Sequence, residues 1–171
     1  MRAPRALRCA ALAALVALGA CASTDRSPGV ALLQQGRYVE ARAFHEGLLA
    51  EEPDDAALDH SEAGVMALLA GDVAAANRHF RNAFDDLEDL SATTGETVGA
   101  TIGPARSRRW KGEPYERCMN AYYLGVTYWL LGDVDNAAAS FRAGVLRDAD
   151  SAEGAAQSDF ALLWYLLGQA Q

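Results

Sequence analysis

Carboxylate pairs, histidines and a thiol are the residue types in this 171-residue chain with chemistry to offer, so their spacing comes first. Glu113 and Glu116, and Asp85 with Glu88 or Asp89, are carboxylate pairs at helical spacing. Glycoside hydrolysis needs two carboxyls facing across a cleft, with their pKa values driven apart. Pairs on one solvated helix face do not supply that. His45, His60 and His79 have no Cys or second His at ligand spacing, so no metal site is expected. Cys118 stands without a motif and reads as a buried, inert thiol. Ser91 and Ser107 lack a nucleophile elbow, and no glycine-rich stretch matches a phosphate loop. Gly95, Gly99 and Gly103 are spaced by four, but among threonines rather than in the apolar twenty-mer that a membrane helix pair needs. The residues therefore predict no catalysis, no metal and no cofactor.

What remains is surface, and the elements that would carry it are helices. Alanine accounts for 36 residues, against 16 for Val, Ile and Thr together. Alanine is the best helix former, whereas β-branched residues fit strands. No proline falls in 54–103 or 115–171, so two long stretches lack the strongest helix breaker. With 51% hydrophobic and 22% charged residues the chain is globular. A formal charge of −8 argues against nucleic-acid binding, which needs surplus Lys and Arg.

The helices repeat. Gly71-Asp72-Val73 recurs as Gly132-Asp133-Val134, and aligning the two brings Ala76 onto Ala137, Phe80 onto Phe141, Ala83 onto Gly144 and Gly64 onto Gly125. A further copy, first of the three in the chain, starts at Gly36, with Ala41 at the alanine position, His45 in the aromatic slot beside Phe44, and Leu48 at the small position; Pro53 closes it. The spacing predicts Gly71 and Gly132 in turns at positive φ, Asp72 and Asp133 as N-caps, and Gly64 and Gly125 at close helix approaches. The pattern resembles the tetratricopeptide repeat, which implies an all-α, right-handed stack of helix-turn-helix units. Helices are expected at 28–35, 38–50, 55–70, 72–90, 115–131, 133–147 and 152–170, with Ser27 capping the first and Ser151 the last. Apolar residues surround the last helix almost completely, so it wants cover on every side. Either a neighbouring subunit supplies it, making an oligomer, or a segment is missing beyond Gln171; the reading favours the second.

In a repeat of this kind the first helix of each unit lines the concave face. Met119, Tyr122, Val126 and Trp129 would form one stripe, with Leu58, Ser61, Val65 and Leu68 beside it. The stripe is either core between repeats or a groove for a peptide or partner helix.

The copies lie 35 and then 61 residues apart, so about 27 residues are inserted, roughly 88–114. This segment carries Arg106, Arg108, Arg109, Lys111 and Arg117, a basic island in an acidic chain. The island either neutralises the acidic run 85–89, binds an anionic partner such as a lipid headgroup or envelope polymer, or is solvated loop. The segment from Trp110 through Gly112, Glu113, Tyr115 and Glu116, followed by Asn120 to Gly125, is similar to a family of bacterial lipoproteins without an assigned reaction.

The N-terminus reads as an address. Arg2, Arg5 and Arg8 precede an apolar stretch, Cys9 to Gly19, then Leu18-Gly19-Ala20-Cys21 and a polar segment. This is the layout of a signal peptide, and the apolar run is short of the ~20 residues that span a bilayer. Small residues before a cysteine resemble the lipobox of bacterial lipoproteins. That resemblance implies a signal peptide at 1–20, acylation of Cys21, a tether at 21–27 and a helical domain at 28–171; the other reading is an ordinary secretory signal with a chance cysteine. An Asp after the cysteine would resemble the inner-membrane retention signal of enteric-type lipoproteins; Ala22 stands there instead, so the resemblance implies the outer membrane over the inner. Loss of residues 1–20 removes three arginines and no acid, moving the formal charge from −8 to about −11. The expected function is a lipid-anchored protein–protein interaction adaptor or assembly factor of the cell envelope, facing the periplasm, with unidentified envelope proteins as partners. The alternative is a module that binds envelope polymer or anionic lipid through 106–117.

Overall fold

Three glycines set the rhythm of the chain. Gly36, Gly71 and Gly132 take φ of 72°, 80° and 82°, a left-handed conformation that costs glycine little and other residues about 1–2 kcal/mol. A helix ends just before each glycine and another starts within two residues after it. Asp72 and Asp133 hold two of those starts: their Oδ1 atoms accept the N–H groups of Ala75 (3.0 Å) and Asn136 (3.1 Å), satisfying donors that have no partner inside the helix. Arg37, at the matching place in the first copy, offers no capping side chain.

The computed structural model describes residues 24–94, 110, 112–150 and 160–171, with the backbone alone at 89–94 and 150. Among the described residues there are seven α-helices and no strand: α1 (Ser27–Gln34), α2 (Tyr38–Glu51), α3 (Ala56–Leu69), α4 (Val73–Thr94), α5 (Pro114–Leu130), α6 (Val134–Asp150) and α7 (Ala161–Gln169), with a 3-10 turn, Pro53–Asp55, before α3. The protein is all-α. Several boundaries differ from the sequence reading; α6, for one, runs to Asp150 rather than 147. Ser27 does not cap α1 but begins it, and its own N–H is taken by the Asp25 carboxylate at 2.9 Å. Helix α4 runs on to Thr94, past the expected start of the insertion. Ser151 and the expected first half of the last helix lie outside the described residues.

The helices that pack extensively against one another are consecutive in the chain. Within each hairpin a glycine admits an aromatic ring. A Cβ on Gly64 of α3 would meet Phe80 of α4 at 2.8 Å, and the Phe141 ring of α6 occupies the same place over Gly125 of α5. Gly29 of α1 repeats the arrangement against His45 (2.6 Å) and Phe44 (2.9 Å) of α2. Ala41, Ala76 and Ala137, the small positions of the three copies, are fully buried.

Polar and aromatic contacts join the second hairpin to the third. The Asn77 amide of α4 donates to the Thr127 hydroxyl of α5 (3.1 Å), and that hydroxyl donates to the Leu124 carbonyl (2.8 Å). Phe80 stacks on Tyr123 with ring centres 5.2 Å apart. Arg147 of α6 pairs with Glu88 of α4 and lies over the Phe84 ring at 4.2 Å. At the C-terminal end, α7 buries Leu163 and Leu167 against α6 and leaves Leu162, Trp164 and Tyr165 exposed. No helix among the described residues is long and apolar enough to cross a membrane.

Candidate functional site

The first helices of the second and third hairpins, α3 and α5, face each other across a pocket of about 170 Å³. Each supplies a set of four residues at positions i, i+3, i+4 and i+7, the spacing that aligns one helix face, and α5 adds Tyr115. From α3 come Leu58, Ser61, Glu62 and Val65; from α5 come Glu116, Met119, Asn120 and Tyr123. Phe80 of α4 contributes, and Trp110 completes the lining.

Trp110 is placed by the segment before α5. Its N–H donates to the Asp54 carbonyl at 2.9 Å, fastening it beside the start of α3. Gly112 turns the chain at φ 65°, and a Cβ there would lie 3.1 Å from Cη2 of Trp110. Helix α5 then opens with a capping box: Glu113 and Glu116 exchange side-chain and backbone hydrogen bonds, including Glu113 N–H to Glu116 Oε2 at 2.7 Å, and Pro114 takes the first turn. The distinctive segment of the sequence is thus a turn and a cap that set one wall of the pocket.

The polar part of the lining has a fixed donor order. The Ser61 hydroxyl donates to the Ala57 carbonyl (2.8 Å), so its oxygen serves as acceptor for the Asn120 amide nitrogen (3.2 Å). That orientation leaves Asn120 Oδ1 buried with no donor among the described residues.

The stripe expected from the sequence divides. Leu58, Val65 and Met119 line the pocket. Leu68 packs instead with Ala67, Phe80 and Leu124. Tyr122, Val126 and Trp129 border the Cys118–Phe141–Leu163 core; Tyr122 lies 5.5 Å from Phe160, and Trp129 meets Phe141 edge-on at 5.9 Å. Seven-residue spacing does put Tyr122 and Trp129 on one face, but the Gly125–Phe141 contact turns that face towards α6 and α7. The neighbouring ring, Tyr123, lines the pocket instead. Sequence reasoning missed Tyr123, Trp110, Tyr115, Asn120, Glu62 and Glu116; tracing the helical period from Leu58 finds Glu62, and from Met119 finds Glu116 and Tyr123.

Of the basic island only Arg117 is described. Its carbonyl accepts from Arg147 (3.4 Å), and its Nε is buried without a partner among the described residues. Arg106, Arg108, Arg109 and Lys111 lie outside the described residues, as does Cys21. In the acidic run 85–89, Glu88 finds a cation in Arg147, which the sequence reading did not single out.

The histidines enter two networks. His45 Nδ1 lies 3.0 Å from Asp59 Oδ1, and Arg26 reaches both Asp59 (2.8 Å) and Asp55 (3.1 Å). Burial pushes the Asp59 carboxyl up, but the hydrogen bonds from His45 and Arg26 together with their charge outweigh it and hold it below the usual carboxylate range. His60 Nδ1 meets His79 Nδ1 at 3.1 Å, and His79 Nε2 meets Glu46 Oε1 at 3.1 Å. Burial, then the neighbouring His79, holds His60 below the ordinary imidazole value. No group of three or more ligand-type side chains suited to a metal ion occurs among the described residues. Cys118 is buried, bonds to the Gly144 carbonyl, and is pushed up to about 11 by burial and then by Asp148.

Comparison with known protein families, with characterised proteins and with solved structures finds no match.

Proposed function

We propose that this chain is a lipid-anchored protein–protein interaction adaptor or assembly factor of the bacterial cell envelope, built as a tetratricopeptide-like stack and without catalytic activity. The observation that carries this reading is the pocket between α3 and α5, where Leu58, Val65, Met119 and Tyr123 converge from the first helices of consecutive pairs. Among the described residues its lining holds no histidine, and its one aliphatic hydroxyl, on Ser61, is engaged by the Ala57 carbonyl. Such a surface suits an inserted side chain better than bond cleavage, which needs a nucleophile beside a base. The anchor reading rests on the resemblance around Cys21. Arg26 is already fastened to Asp55 and Asp59, so an acylated Cys21 would hold the helices within about 18 Å of the membrane, five residues at ~3.5 Å each.

The test is site-specific photocrosslinking in intact cells. A photoreactive residue in place of Leu58 should give one discrete crosslinked species, and the same residue at exposed Arg81 on α4 should not. Equal labelling from both positions would remove the groove from the proposal. For the anchor, a fatty-acid analogue should label the chain and fail to label Cys21→Ser; surviving label overturns lipidation at that residue.

A further inference from the structure

We propose that the pocket between α3 and α5 is a receptor for an arginine side chain of the partner, a reading that rests on the interaction-adaptor function above and names its chemistry. Three features converge on a planar cation. First, Glu62 and Glu116 line the pocket, and among the described residues no basic side chain does. Glu62 makes no hydrogen bond or ion pair among the described residues, and Glu116 spends only Oε2, on the N–H of Glu113. Second, Asn120 is 3% exposed, yet its Oδ1 has no donor, because Ser61 fixes the amide the other way round. A buried acceptor without a donor is unfavourable, and a ligand N–H that reached it would remove that cost. Third, the apolar lining is largely aromatic: Phe80, Trp110, Tyr115 and Tyr123 belong to it.

A cation over an aromatic face is attracted by the ring quadrupole, and guanidinium does this while stacking flat. Arginine carries five N–H donors in a rigid fork and no acceptor. It can therefore serve two carboxylates and one amide oxygen at once, where an ammonium group is a compact, strongly hydrated point charge. The volume points the same way: about 170 Å³ falls below the ~300 Å³ at which drug-sized ligand sites begin and suits a single side chain. The net charge of −8 favours a basic partner over an acidic one.

The experiment is titration of the full-length chain, purified in detergent, with three short glycine-spaced peptides carrying arginine, lysine or citrulline. The readout is the indole N–H signal of Trp110 in nitrogen-edited NMR spectra, assigned with Trp110→Ala; Trp129 and Trp164 serve as internal references. The arginine peptide should shift the Trp110 signal, the lysine peptide should bind more weakly, and the citrulline peptide, neutral but isosteric, should leave it in place. Glu62→Gln with Glu116→Gln should weaken arginine binding about tenfold. Glutamine retains the capping box, so the unfolding midpoint should stay near that of the parent. Equal binding of citrulline or lysine peptides, or unchanged affinity in the double variant, overturns the proposal. If crosslinking from position 58 persists while the arginine peptide fails, the adaptor function stands and the arginine site falls. If the peptide binds as expected but no crosslink forms, the site stands and the adaptor function falls.

Discussion

At the scale of single residues, glycines carry the fold's tightest constraints, and their surroundings separate them sharply. A Cβ on Gly125 would run into Phe141, itself fully buried and unable to retreat. Overpacking of this kind costs typically 1–3 kcal/mol, and the helix propensity gained by alanine returns at most about 1. Gly47 in α2 is also helical but has nothing within 4 Å of its would-be Cβ. We expect Gly125→Ala to lower stability by about 1–2 kcal/mol in urea titration and Gly47→Ala to raise it by roughly 0.5–1; equal effects would refute the close-approach account. A second residue-scale prediction concerns Asp59, fully buried between His45 and Arg26. Removing one member of a buried charge network strands the others, so Asp59→Ala should cost about 3 kcal/mol. Because the folded carboxyl titrates below its unfolded value, its contribution is complete above about pH 4 and disappears as pH falls through the lowered folded pKa. Asp59→Asn should therefore flatten the acid limb of stability against pH, and a parallel limb would show that Asp59 is not its source.

At the scale of elements, the α3–α4 hairpin holds a pH-sensitive contact. His60 of α3 meets His79 of α4, which meets Glu46 of α2, with Asp86 and Asp59 also acting on His60. Two imidazoles at this distance share one proton at most without repulsion. His60 is held below its unfolded value, so from about pH 6.5 downwards the unfolded chain binds a proton that the folded chain resists, and stability falls on acidification. The thermal midpoint should drop between about pH 7 and pH 5.5, and His60→Gln should reduce that drop; an undiminished slope would assign it elsewhere. Helix boundaries were legible because their signals are local. The Gly-Asp turns of the second and third copies announce themselves within four residues, whereas the Glu113–Glu116 capping box was read as a carboxylate pair. The pocket was less legible. Trp110 docks on the carbonyl of Asp54, and Asn120 donates to Ser61, pairings of residues more than fifty positions apart that no local pattern marks. The groove stripe was placed on Tyr122 rather than Tyr123 because a seven-residue interval fixes which residues share a face, not where that face points. Gly29 was within reach: Gly29–Gly36–His45 keeps the intervals of Gly64–Gly71–Phe80, but a histidine in the aromatic slot masked the match.

At the scale of the whole molecule, the order of contacts governs how stability is distributed. Extensive packing joins consecutive helices, so each hairpin leans chiefly on its neighbours, and a local defect should stay local. The N-terminal pair is held by Gly29 against His45 and by the Arg26–Asp59 contact to α3. The C-terminal helices share a separate core around Phe141, Leu163 and Leu167. Between the second hairpin and the third, Asn77 to Thr127, Phe80 on Tyr123 and Arg147 to Glu88 make the crossing. Hydrogen exchange can read this layout directly. Gly29→Ala should lower protection in α1 and α2 while α5 to α7 keep theirs, and Gly125→Ala should do the reverse, with α3 and α4 changing least in either. Should both variants lower protection evenly along the chain, the helices would form one cooperative unit, and the distribution of stability inferred from neighbour contacts would be wrong.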